Sequence, residues 1–118
     1  LDVAIAGWKR DSLTCLGLRS YLSFMVIFTR TNLLEKKLAD VVEVLGKPNQ
    51  IEQIYECNEL GQQSKTSRYS SCYEIIYYYG KNCNENTSPP IGFDRSLYIS
   101  FIVDAATSKI LNCEGVRK

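Results

Sequence analysis

The chain holds 118 residues, of which 45% are apolar and 23% charged, and its 14 basic and 13 acidic side chains leave a formal charge of +1. That size and mix suit one domain spanning residues 1–118, able to bury roughly two-thirds of its unfolded surface around a single core. A near-neutral balance argues against nucleic-acid binding, which needs a strongly basic face. The longest apolar run, Phe24–Phe28, falls far short of the roughly 20 residues of a spanning helix, so no transmembrane segment is expected.

Residues 1–11 read as a short lead-in containing the only tryptophan, Trp8. From Leu16 to about Thr31 the pattern is helical. Leu18, Leu22, Met25, Val26 and Thr29 mark one stripe, and Tyr21, Phe24, Ile27 and Phe28 widen it. Such a helix is expected to be buried on more than one side, with Phe24 and Phe28 either in the core or at a partner interface. A second helix lies within Leu34–Leu45, where Leu34, Leu38, Val41, Val42 and Leu45 recur at helical spacing. Gly46 closes it and Pro48 prevents its resumption.

After Pro48 the period changes to two. Residues 51–57 read as an edge strand and residues 58–71 as a long polar loop. Residues 72–79 form the clearest strand, with Tyr73, Ile75, Tyr77 and Tyr79 on one face and Glu74, Ile76 and Tyr78 on the other. A loop marked by Asn82, Asn84, Asn86 and Pro89–Pro90 follows. Residues 97–104 and 109–113 make a hairpin, with Leu97, Ile99, Phe101 and Val103 facing inward and residues 114–118 frayed. The order predicts an α+β domain in which two N-terminal helices cover one face of a three- or four-stranded antiparallel sheet. Ile76 and Tyr78 then sit on the far face and, with Tyr69, are the candidate partner contacts.

The chemistry points away from catalysis. With no histidine, the usual proton shuttle and the commonest metal ligand are missing, and a Ser–His–Asp or Cys–His arrangement is impossible. No catalytic residue, metal site or cofactor is assigned, since the glycines are dispersed and no Cys-x-x-Cys occurs. The five cysteines suit an oxidising compartment, with Cys57, Cys72, Cys83 and Cys113 as candidates for disulfide pairing. Their odd number leaves at least one thiol unpaired. Eight tyrosines, including Tyr77–Tyr78–Tyr79, offer either recognition surface or half-buried strand packing. Trp8, Asp11, Cys15 and Arg19 cluster before the first helix, where they would lock the N-terminal segment onto the domain.

The combination of Trp8-x-x-Asp11, Cys15-x-Gly17-x-Arg19, a helix, and Val42–Glu43–Val44–Leu45–Gly46–Lys47–Pro48 followed by aromatic strands resembles the SmpA/OmlA group of bacterial outer-membrane lipoproteins. That group includes the small lipoprotein of the outer-membrane barrel-assembly machinery, and its fold is also similar to that of β-lactamase inhibitory proteins. The resemblance implies two helices on an antiparallel sheet, with Leu45, Gly46 and Pro48 as the helix stop feeding the sheet. It further implies a periplasmic or outer-membrane address and a non-catalytic structural or protein-contact role. Any lipid anchor would lie outside the 118 residues. The alternatives are an inhibitor or immunity-type module that blocks one partner, and a small-ligand binder using a cleft between helices and sheet.

Overall fold

A computed structural model of the chain describes residues 2–11, 18–58, 69–79 and 98–116. Three α-helices precede a four-stranded antiparallel sheet in an α+β arrangement. The strands β1 (Gln50–Cys57), β2 (Tyr69–Tyr78), β3 (Tyr98–Asp104) and β4 (Ile110–Val116) lie side by side in sequence order.

The helices number three, not two, because the expected lead-in is itself helix α1 (Asp2–Arg10). Ala4, Ile5 and Trp8 give it one apolar side that packs on the core, and Lys9 and Arg10 fill its last turn, where cations favour the helix dipole. Helix α2 (Tyr21–Thr31) starts later than Leu16 because Ser20 caps it. The Ser23 backbone N–H donates to Ser20 Oγ at 3.0 Å, and the Ser20 N–H donates to Ser23 Oγ at 3.1 Å. Asn32, at φ 55°, closes its other end in the left-handed conformation. Helix α3 spans Leu38–Leu45, within the expected segment, and Leu33–Glu35 before it forms a separate 3-10 turn. Asp40 compensates for the missing cap by accepting the Lys37 backbone N–H at 3.0 Å. Gly46, at φ 80°, ends α3.

Strand β2 starts at Tyr69, inside the stretch read as loop, because Tyr69, Ser71 and Cys72 pair with Cys57, Tyr55 and Ile54. Glu114–Val116, expected to fray, pairs with Tyr98–Ser100 instead. The loop expected at residues 80–96 lies outside the described residues, as do Leu97 and most of the loop expected at 58–71.

All helices lie on one face of the sheet. Ile75 and Tyr77 of β2, Tyr79 just after it, and Ile99, Phe101 and Val103 of β3 meet Trp8, Phe24, Ile27, Leu33, Val41 and Leu45 there. The aromatic rings set the packing: Phe24 lies 5.9 Å from Trp8 and 6.2 Å from Phe101, and Tyr77 stands at 88° to Phe101.

The opposite face carries a smaller cluster built around a Cys57–Cys72 disulfide, with Ile102, Ile54, Tyr69 and Leu111. Strict alternation would turn Cys57 toward the helices. The left-handed backbone of Glu56, at φ 50°, breaks that alternation and lets Cys57 reach Cys72. A bulge near Ile102 likewise turns Leu111 to this face. Cys113 was a candidate for pairing too, but its thiol is free. It lies opposite Phe101 on the helix side, separated from Cys57 and Cys72 by the sheet itself. Cys15 and Cys83 lie outside the described residues.

Candidate functional site

The two N-terminal helices are fixed by a buried arginine. Arg19 Nε donates to the Trp8 carbonyl at 2.7 Å, and its guanidinium carbon lies 5.0 Å from the Trp8 ring centroid. One terminal nitrogen donates to Asn49 Oδ1 at 3.0 Å and, more weakly, to the Tyr78 carbonyl at 3.4 Å. The neighbouring backbone is held by Asp11, whose Oδ2 accepts the N–H groups of Leu18 and Arg19 at 2.9 and 3.2 Å. Burial lowers the Arg19 pKa to about 10, with Asp11 and then Tyr77 opposing the fall. Tyr77 donates its hydroxyl to the Gly46 carbonyl at 2.6 Å. Trp8, Asp11 and Arg19 are therefore brought together, and Leu45 and Gly46 are tied to the same region through Tyr77. Pro48 is half-buried beside the entry to β1.

Fixing α2 in this way decides which side faces out. Phe24 and Ile27 are buried, whereas Leu18, Leu22, Met25, Val26 and Thr29 are exposed. The stripe expected to lie in the core thus points to solvent, and α2 is buried on one side only. The reason is volume: the Phe24 and Phe28 rings, 5.4 Å apart, fill the space over the sheet. The thinner Leu–Met–Val side is left over.

The result is a set of exposed apolar side chains on α1, on α2 and at Leu18 just before it. Leu22, 75% exposed, borders a shallow depression of about 350 Å³ lined by Met25, Val26, Thr29 and Arg30. A second depression, of about 290 Å³, is lined by Val3, Ala6, Gly7, Arg10 and Leu18, with Val3 86% exposed. Gly7 lets α1 approach Leu18 within the second depression, since a Cβ placed on it would lie 3.6 Å from the Leu18 Cβ. Each depression has an arginine on its rim, and none of the described residues lining them is acidic. Exposed apolar area of this kind, edged by arginine, is characteristic of recognition surfaces.

The partner contacts proposed from sequence sit elsewhere. Ile76 and Tyr78 are on the far face of the sheet but only 7% exposed each, so neither presents much area to another molecule. Tyr78 donates its hydroxyl to Gln50 Oε1 at 2.8 Å and packs edge-on to Tyr98 at 6.4 Å. Tyr69 is half-buried beside the disulfide. The α1–α2 surface escaped sequence reasoning because a helix apolar all round does not announce which side is free.

Among the described residues no helix is long and apolar enough to cross a membrane, and no three Cys, Asp or Glu side chains converge as a metal site. No protein-family model matches the chain, and no curated protein or solved structure is significantly similar to it.

Proposed function

We infer that this chain is a non-catalytic interaction module that binds another protein through the outer face of α1 and α2. The observation that carries the reading is the exposed run Val3, Leu18, Leu22, Met25 and Val26, rimmed by Arg10 and Arg30. Apolar side chains at the centre with arginines at the border is the composition favoured at protein interfaces. The fitting partner presents its own apolar side chains flanked by carboxylates.

The disulfide supports an oxidising compartment such as the periplasm, in keeping with the envelope role that the SmpA/OmlA resemblance implies. The buried arginine supports a structural duty for Trp8, Asp11 and Arg19, since Arg19 Nε donates to the Trp8 carbonyl and Asp11 accepts the Leu18 and Arg19 backbone N–H groups. These groups hold the binding face in place without touching a partner.

The test is capture from an envelope fraction by the wild-type chain and by a Leu22→Asp/Val26→Asp variant, followed by rebinding of the purified captured protein. A partner bound by the wild type and lost by at least tenfold in the variant supports the reading. Equal binding by both chains refutes it. If the captured protein is an enzyme that loses activity on binding, the module is an inhibitor.

A further inference from the structure

The two edges of the sheet differ. At the start of β4, residues 36–38 run alongside as a third chain: the Leu38 N–H donates to the Ser108 carbonyl at 2.8 Å and the Ile110 N–H to the Lys36 carbonyl at 3.1 Å. That edge is partly covered. Strand β1 is the other edge and pairs only with β2 among the described residues. It contains neither proline nor lysine, the usual guards of an open edge. On its helix-side face, beyond the reach of the helices, Ile51 is 56% exposed and Tyr55 62% exposed, with Gln53 between them.

We propose that β1 pairs antiparallel with β1 of a second copy of this chain, centred on Gln53, to make a continuous eight-stranded sheet. Two-fold symmetry places helices of both copies on the same side, so residues opposite each other must share a face. Only registers that set one residue opposite its own copy satisfy this. Centring on Glu52 opposes two Glu52 carboxylates, and centring on Ile54 opposes Glu52 and Glu56; both bring like charges together. Centring on Gln53 avoids both. It opposes Ile51 of one copy with Tyr55 of the other, twice, around a Gln53–Gln53 pair. Glu52 then faces Ile54, and Gln50 faces Glu56. Aromatic and β-branched side chains opposite one another are a favourable cross-strand pair, and here both members are exposed in the single chain.

This pairing is independent of the α1–α2 surface, which lies on helices and not on the edge. Sedimentation equilibrium across a concentration series tests it. The wild-type chain is expected to dimerise, and Ile51→Glu or Tyr55→Lys alone to weaken the dimer at least tenfold. Both positions are exposed, so the variants fold, as circular dichroism will check. The decisive variant is Ile51→Glu with Tyr55→Lys in one chain, which puts opposite charges face to face only in the Gln53-centred register and restores the dimer. A chain that stays monomeric at its highest soluble concentration overturns the proposal. So does a dimer unaffected by the single substitutions, a double variant that does not recover, or a dimer abolished by Leu22→Asp.

Discussion

On the helix side of the sheet, Ile75, Tyr77, Phe101 and Val103 are sealed by apolar side chains from three helices and a 3-10 turn. On the other side, Ile54, Cys72 and Ile102 are held by one covalent bridge and a few polar pairs, among them Ser100 donating to Glu74 at 2.9 Å. The first face derives its stability from area removed from water, and the second from a constraint on the unfolded chain. Shape complementarity therefore matters on one side and connectivity on the other. Side-chain truncations should do most damage on the helix side, while reducing agents should act on the far side.

The largest expected effect is at that helix-side core. Phe101→Ala should cost about 3–5 kcal/mol in urea unfolding, because the ring contacts both Phe24 and Tyr77. Arg19→Ala should cost a similar amount, since it removes the donors to the Trp8 carbonyl, Asn49 Oδ1 and the Tyr78 carbonyl and leaves a cavity beside the Trp8 ring. Opening the Cys57–Cys72 bridge by a double serine substitution should cost about 3 kcal/mol, as expected for a 15-residue separation. Near-UV circular dichroism should keep the aromatic signal of the helix side in that variant. Loss of the signal would show that the two faces are one cooperative unit and not two.

A smaller effect sharpens the comparison through pH. Burial, aided by Glu114, pushes the Cys113 thiol from its ordinary 9.0 up to about 12. Burial also raises the Tyr77 hydroxyl, against the pull of Arg19. In both cases the folded chain keeps a proton that the unfolded chain releases, so stability falls as pH rises above about 9, by about 1.4 kcal/mol per pH unit for Cys113. Arg19 works in the opposite direction, because its lowered pKa of about 10 means the folded chain gives up that proton first. Denaturant melts of Cys113→Val should show a shallower alkaline decline. Weaker still, Tyr77→Phe should cost about 1 kcal/mol by removing the hydrogen bond to the Gly46 carbonyl.

Much of the fold was legible in the residues. The Leu45–Gly46–Pro48 stop divides helix from strand, and the alternation Tyr73, Ile75, Tyr77, Tyr79 picks the face that the helices cover. Helix α1 was not legible because Gly7 weakens its pattern. The orientation of α2 could not be read either. Its two sides differ in ring volume more than in hydropathy, and only the sheet beneath chooses between them. The pairing of Cys57 with Cys72 depends on the left-handed turn at Glu56, a residue type that rarely adopts it. Ile76 and Tyr78 looked free because alternation assigns a face and not a neighbour.

The Arg19 guanidinium has one more consequence, for the order in which the molecule is assembled. Its acceptors come from Trp8, from Asn49 and from Tyr78, the last 59 positions downstream. While the chain emerges from the ribosome, this cation keeps its water until the second strand has been made. The first two helices can form early, yet they cannot take their final seats until the sheet exists to receive them. Any segment that binds the nascent N-terminus would therefore find both sides of α2 open, including the one later sealed by Phe101.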